Sequence, residues 1–209
     1  EDIMLGTALV GMYAKCGSLA KAQEVLEGLS VRDVISWSVL ISGYAQHGQT
    51  YEALNCLERM RSEGLTPDKV TFQCILTSCS HSGLLEKAQL WFRNMTEEYD
   101  MIPDLKHHAC MMVVLGSAGL FDEAISIIKV MPNCLEVWLA LLGTCRKWGN
   151  VNHGRLAFNL TIQGNKICTA AYARIEDIFT VAGMEEDAKK VKSSCQKFLL
   201  GNGGLYYSS

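Results

Sequence analysis

Apolar side chains recur along the chain in a register set by six glycines, Gly17, Gly48, Gly83, Gly119, Gly149 and Gly183. Four positions before each stands a bulky or sulfur-bearing apolar residue: Tyr13, Tyr44, Cys79, Leu115, Cys145 and Phe179. Eight before stands another: Leu9, Leu40, Ile75, Met111, Leu141 and Ile175. Five positions after each glycine the residue is small: Ala22, Ala53, Ala88, Ala124, Gly154 and Ala188. Residues spaced by four share one face of a helix, so the pattern predicts a first helix over about a dozen residues before each glycine. The glycine supplies the left-handed turn that ends it. A second amphipathic helix follows, as over 18–29 and 49–62. Pro67 and Pro103 fall where a unit's last helix must already have stopped.

Successive glycines are 31, 35, 36, 30 and 34 residues apart. A hairpin of two helices this short cannot bury its own apolar face, whereas stacked neighbours can. The expected fold is therefore all-α, a right-handed α-solenoid of stacked helix-turn-helix repeats.

Composition narrows the chemistry. The 209 residues are 49% hydrophobic and 20% charged, material for one domain or a short repeat array and too apolar for a disordered chain. No apolar run approaches the ~20 residues that span a bilayer, so no membrane partner is expected. Nine cysteines without a C-x-x-C pair do not suit a disulfide framework or a zinc ribbon; they read as small buried hydrophobes in a reducing compartment. His107 and His108 are adjacent and so point to different helix faces, which disfavours a shared metal; no cofactor is expected. Residues 1–104 carry 14 acidic and 8 basic side chains, and residues 105–209 carry 8 acidic and 11 basic. The acidic part cannot blanket phosphates with positive charge, so any nucleic acid it met would be read through base edges. The chain lacks an initiator Met and a presequence, as expected of a processed chain or an internal piece of a longer one.

Tetratricopeptide repeats keep a strict period, but these units alternate in length and close on an acidic residue: Asp33, Asp68, Asp104 and Glu136. The stretches G-T-A-L-V-G-M-Y-A-K-C-G-S-L (6–19), S-W-S-V-L-I-S-G-Y-A-Q-H-G (36–48) and V-T-F-Q-C-I-L-T-S-C-S-H-S-G-L-L-E-K-A (70–88) closely resemble plant pentatricopeptide repeats. More narrowly, they resemble the S-type, P-type and L-type units of the PLS subclass. H-A-C-M-M-V-V-L-G-S-A-G-L-F-D-E-A (108–124) resembles a final S-type unit, and V-W-L-A-L-L-G-T-C-R-K-W-G-N-V (137–151) the first of two E-type motifs. The resemblance divides the chain into repeats 3–33, 34–68, 69–104 and 105–136, a first E-type motif over 137–169, a weaker second over 170–198, and a tail over 199–209. Asp2 falls where an upstream repeat would close, so residues 1–2 are expected to be the end of such a repeat.

The resemblance implies a fold that binds single-stranded RNA inside the superhelix, one base per repeat, with chain and RNA parallel. The fifth and last residues of a repeat read the base's Watson–Crick edge, and the second wedges between bases. This assigns Thr7, Asp33 and the wedge Met4 to the first repeat. Ser38, Asp68 and the wedge Ile35 fall to the second; Gln73, Asp104 and the wedge Val70 fall to the third. A small hydroxyl with Asp is the family's guanine pair, since a carboxylate accepts the N–H donors of that edge. Guanine is thus expected at the first two positions. The third pair departs from the family's code. The fourth repeat offers Ala109 with Glu136 and has Lys106 at its wedge position, leaving it without a clear preference.

PLS proteins with E-type motifs resemble site-recognition factors for C-to-U editing of transcripts in the mitochondrion or chloroplast. Their deaminases need H-x-E for zinc and proton transfer and P-C-x-x-C for the remaining ligands. None of His47, His81, His107, His108 and His153 has Glu two residues on, and Cys134 follows Asn133. The implied role is RNA recognition without catalysis, with a cytidine deaminase or other editing factor recruited in trans through the E-type motifs. The basic residues Arg146, Lys147, Arg155, Lys189, Lys190 and Lys192 are candidates for meeting an acidic partner or the RNA. Three alternatives stand beside this reading. Asp33, Asp68 and Asp104 also suit capping the next helix, the commoner job for Asp at such a position. Met4, Ile35 and Val70 suit a core. The repeats as a whole suit a protein scaffold in an organellar complex that reads no bases.

Overall fold

The computed structural model describes residues 3–129, 135–164 and 169–202. Asp2, Cys134 and residues 203–209 lie outside them. The described residues form twelve α-helices and no strand: α1 (Ile3–Lys15), α2 (Leu19–Glu27), α3 (Val34–Gln46), α4 (Thr50–Ser62), α5 (Lys69–Ser82), α6 (Leu85–Glu97), α7 (Leu105–Ser117), α8 (Phe121–Lys129), α9 (Leu135–Lys147), α10 (Val151–Gly164), α11 (Thr169–Val181) and α12 (Glu185–Asn202). The odd-numbered helices are the predicted first helices of the hairpins, and each ends at one of the six register glycines. All six glycines adopt positive φ, between 64° and 77°, the left-handed conformation that turns the chain into the second helix.

The chain divides into two compact units, Glu1–Val114 and Leu115–Ser209. In the first, α1, α3 and α5 lie side by side, and α2 and α4 each pack against two consecutive first helices. In the second, α9 lies beside α11, α10 touches both, and α12 packs on α11. Both units thus use the hairpin stacking of an α-solenoid. The register explains the close approach: Ala22, Ala53, Ala88 and Ala124 are fully buried, as are Leu40, Ile75, Leu141 and Ile175. Leu9 is the exception at 37% exposure, because α1 has a first helix on only one flank among the described residues. Gly43 brings α1 and α3 together almost backbone to backbone; a Cβ there would stand 2.6 Å from Ala14 Cβ. Cys56, Cys79 and Cys145 are buried as hydrophobes, whereas Cys16 is exposed. Burial pushes the thiols of Cys56 and Cys145 up to about 12 and that of Cys79 to about 11. No helix among the described residues is long and apolar enough to cross a membrane.

Trp37 anchors the second hairpin. Its ring is fully buried, its Nε1 donates to Glu63 Oε2 at 2.9 Å, and the Arg59 guanidinium lies 5.3 Å from the ring centroid. Arg32 pairs with Glu63 at 2.9 Å and Arg59 with Glu27 at 2.8 Å, so ion pairs roof the indole and tie α2 to α4. Hydrogen bonds from Gln23 and Arg59 hold the Glu27 carboxyl below its ordinary 4.5. Burial pushes Glu63 up, but hydrogen bonds from Arg32 and Trp37 and the charges of Arg32 and Arg59 outweigh it and leave Glu63 low as well. Carboxyls held low in the folded state stabilise it above the unfolded value, and that contribution is lost as pH falls through the folded value. Urea midpoints should therefore hold at neutral pH and drop below about pH 4.5. An E27Q/E63Q variant should show a shallower acid decline than the parent; equal slopes would remove these two groups from the acid response.

Candidate functional site

The second residues of α1, α3 and α5 are apolar yet face outward: Met4 is 77% exposed, Ile35 63% and Val70 56%. The core assignment for them is therefore wrong, since three bulky apolar side chains in one register stand against solvent. Lys106 takes the same register in α7 and is also exposed. Along α1 and α3 runs a groove of about 750 Å³, lined among others by Met4, Thr7, Met12, Lys15, Asp33 and Ile35. All four residues assigned to the first nucleotide and its flanking wedges thus meet in one cleft. Lys15 was not anticipated. A cation in the last turn of a helix is favoured by the backbone dipole, and that position was its only sequence signal.

Asp33 sits in this cleft because it caps α3. Its extended backbone precedes the helix, its Oδ1 accepts the Ser36 N–H at 2.8 Å, and the Ser36 hydroxyl accepts the Asp33 N–H at 3.0 Å. The capping alternative is therefore correct for one carboxylate oxygen. The other, Oδ2, has no hydrogen-bond partner among the described residues, and the side chain is half-buried. Thr7 is half-buried beside it.

Asp68 caps α5 in the same way, with a difference. Its Oδ1 accepts both the Thr71 N–H and the Thr71 hydroxyl, each at 2.8 Å. Ser38 does not stand open to a nucleotide as expected. It is 6% exposed, and its Oγ lies 2.6 Å from Thr71 Oγ1, because α3 and α5 are packed too closely at this level to leave the hydroxyl free.

In the third repeat Gln73 is half-buried and Asp104 is exposed. Asp104 Oδ1 accepts the Lys106 N–H at 2.9 Å and lies 2.7 Å from His107 Nδ1, while His107 Nε2 reaches the Lys69 carbonyl at 2.9 Å. Partial burial pushes the Asp104 carboxyl up, but the bonds from His107 and Lys106 outweigh it and leave it below the ordinary value. His107 turns inward, whereas His108 bonds the Asp104 carbonyl and meets the Phe92 ring edge-on. Among the described residues no group of three or more His, Cys, Asp or Glu is arranged to hold a metal.

The fourth repeat shifts register. Helix α9 begins at Leu135, so Trp138 stands where Trp37 does and Glu136 falls in the register of Ile35 and Val70, not that of Asp33. The closing position belongs to Cys134, outside the described residues. Further on, four of the six basic residues are paired within the second unit, two of them across its hairpins: Arg146 with Asp177 at 3.4 Å, Arg155 with Asp187 at 3.4 Å, Lys189 with Glu186 at 3.8 Å and Lys192 with Glu176 at 3.5 Å. Lys147 lies against the ring of exposed Trp148.

Of the residues three positions after each closing Asp, Ser36 and Thr71 were not singled out from sequence, and His107 was weighed only as a metal ligand. The D-x-x-S and D-x-x-T spacings before an apolar run were the available signal, since a side chain at that helix position can bond back to the cap.

Carboxylates with one uncommitted oxygen, set one hairpin apart and flanked by exposed apolar side chains, can accept planar N–H donors between apolar faces. The molecule is a helical-repeat protein with an open groove along α1 and α3. The PPR repeat family profile matches residues 32–81, and the PPR repeat profile matches 70–99 and 109–134. A pentatricopeptide repeat-containing protein of Arabidopsis thaliana is 37% identical over 193 residues, covering 91% of this chain and 30% of that protein. A second from the same plant is 39% identical over 195 residues, covering 92% and 39%. The crystal structure of the pentatricopeptide repeat protein PPR10 from maize superposes with a TM-score of 0.78 at 19% identity, over 95% of this chain and 30% of that one. The same protein in complex with an 18-nt psaJ RNA element gives 0.77 at 20% identity, over 94% of this chain and 30% of that one. The chain belongs to the pentatricopeptide repeat family. It spans well under half the length of these plant relatives.

Proposed function

We propose that the chain binds single-stranded RNA one base per repeat, as part of a site-recognition factor for C-to-U editing in the mitochondrion or chloroplast. The observation that carries this is the shared groove of Met4, Thr7, Asp33 and Ile35. It offers a hydroxyl and an uncommitted carboxylate oxygen for a base edge, with an apolar side chain to either side of the base. Lys15 adds a cation for phosphate at the far end of the groove. The solved maize relative is described in complex with RNA, and another Arabidopsis relative, 34% identical over 194 residues and covering 92% of this chain and 42% of that protein, is named as mitochondrial. The PLS pattern over 6–124 and the E-type wording of 137–151 support the editing role. Recruitment of a deaminase in trans follows from the same motifs, and the repeats themselves act without catalysis.

A scaffold reading draws on the sealed hydroxyl of Ser38 and the shifted fourth repeat. The two readings part on Asp33→Asn. An amide keeps the helix cap but presents one acceptor and one donor, suited to adenine and not guanine. Binding of short oligouridine probes carrying G or A opposite the first repeat should shift toward A by about 5- to 150-fold in the G/A ratio. A ratio that does not move would favour the scaffold.

A further inference from the structure

Ser38 occupies the position assigned to base reading in the second repeat, yet its hydroxyl is sealed between α3 and α5. Its bonding partners fix where its proton goes. Asp68 Oδ1 is a carboxylate acceptor, so the single proton of Thr71 Oγ1 is donated to it at 2.8 Å. Thr71 Oγ1 then has only lone pairs left. It accepts the Asp68 N–H at 3.3 Å and, at 2.6 Å, the Ser38 hydroxyl proton. The direction is Ser38 O–H to Thr71 O–H to Asp68 Oδ1, a relay that joins the fifth and last residues of one repeat through a residue of the next. Oδ1 of Asp68 is thereby saturated by two donors, the Thr71 N–H and O–H, and Oδ2 is the oxygen without a described partner.

The first repeat is wired differently. There the Ser36 hydroxyl donates to the Asp33 main-chain carbonyl at 2.9 Å and makes no hydrogen bond to the carboxylate, which keeps only the Ser36 N–H on Oδ1. Asp33 retains acceptor capacity on both oxygens, and Thr7 lines the open groove. In the third repeat the ring of His107 takes the Thr71 register and bonds Asp104 Oδ1. Three repeats with the same closing residue thus hold its carboxylate in three ways.

We infer that Thr71 is the positioning residue for base selection in the second repeat, with Ser38 acting on the nucleotide only through it and Asp68 Oδ2 as the acceptor presented. This rests on the RNA-reading proposal above and deepens it. A hydroxyl that fixes the rotation of the reading carboxylate sets which donors it can meet, and removing one such bond should reduce discrimination by about three- to tenfold.

The test uses the full chain and oligouridine probes carrying GG, GA, AG or AA at the two adjacent nucleotides. Thr71→Val should lower the G/A ratio at the second nucleotide by that factor and leave the ratio at the first unchanged. Thr71→Ser should restore it. The S38A/T71V double variant should be no worse than T71V, because the two residues form one relay. If T71V fails to melt as a folded protein, Thr71→Cys keeps the shape with a weak S–H donor and carries the same expectation. An unchanged ratio in T71V alongside a loss in S38A would overturn the inference and return Ser38 to direct contact. If D33N and D68N also leave every ratio unchanged, the RNA-reading proposal itself falls, an outcome separable from failure of the relay alone.

Discussion

Replacing Trp37 by alanine is expected to cost the chain about 3–5 kcal/mol, enough to unfold its hairpin under mild urea. The ring is fully buried, so the loss includes its apolar burial and the cavity left behind. It also strands Glu63, which loses the indole N–H at 2.9 Å, and Arg59, which loses the ring face it covers. In a solenoid each hairpin touches only its neighbours, so the damage should stay local. Hydrogen exchange should speed up in α3, α4 and the flanking α1 and α5, while α9–α12 keep their protection. Trp148→Ala, at an exposed ring, should stay within about 0.5 kcal/mol of the parent. If Trp37→Ala were as mild as that, the roofed indole would not be the anchor that its contacts indicate.

The hairpins were legible because their requirements are local. Each Gly17-type turn needs a left-handed residue, each Ala22-type position needs a small one, and both show as single letters at fixed spacing. The groove was less legible. Met4, Ile35 and Val70 have the composition of core residues, and periodicity alone puts no bulky apolar side chain in water; only the likeness to a known family turned them outward. Asp33 and Asp68 were ambiguous for a sound reason. One carboxylate oxygen caps a helix, as the capping reading has it, and the other is left over, so capping does not exclude base reading. Ser38 was misplaced because sequence does not show how closely α3 and α5 approach, and burial decides whether a hydroxyl meets ligand or neighbour. Glu136 was misplaced by counting an acidic residue as a closing position, where the start of α9 at Leu135 sets the register.

Changing both caps together, as Asp33→Asn with Asp68→Asn, should give the largest change in recognition. Guanine offers two N–H donors next to each other on its Watson–Crick edge, which suit carboxylate oxygens; adenine offers one donor beside an acceptor, which suits an amide. Each exchange is worth about 1–3 kcal/mol, and two sites a hairpin apart should add, so the GG/AA affinity ratio should swing by roughly 25- to 20,000-fold. Removing two negative charges will also strengthen binding to any RNA, most at low salt. That gain is common to both probes and cancels in the ratio. Asparagine caps helices as well as aspartate does, so the melting temperature should hardly move and a change in fold cannot account for the swing. Unequal contributions are expected within the pair. Asp33 has acceptor capacity on both oxygens, whereas Asp68 Oδ1 is already saturated by Thr71, so the larger share should come from the first nucleotide. Fluorescence anisotropy with the four dinucleotide-bearing probes resolves the two shares. A swing confined to the second nucleotide would mean that the open groove beside Thr7 is not where the base is read.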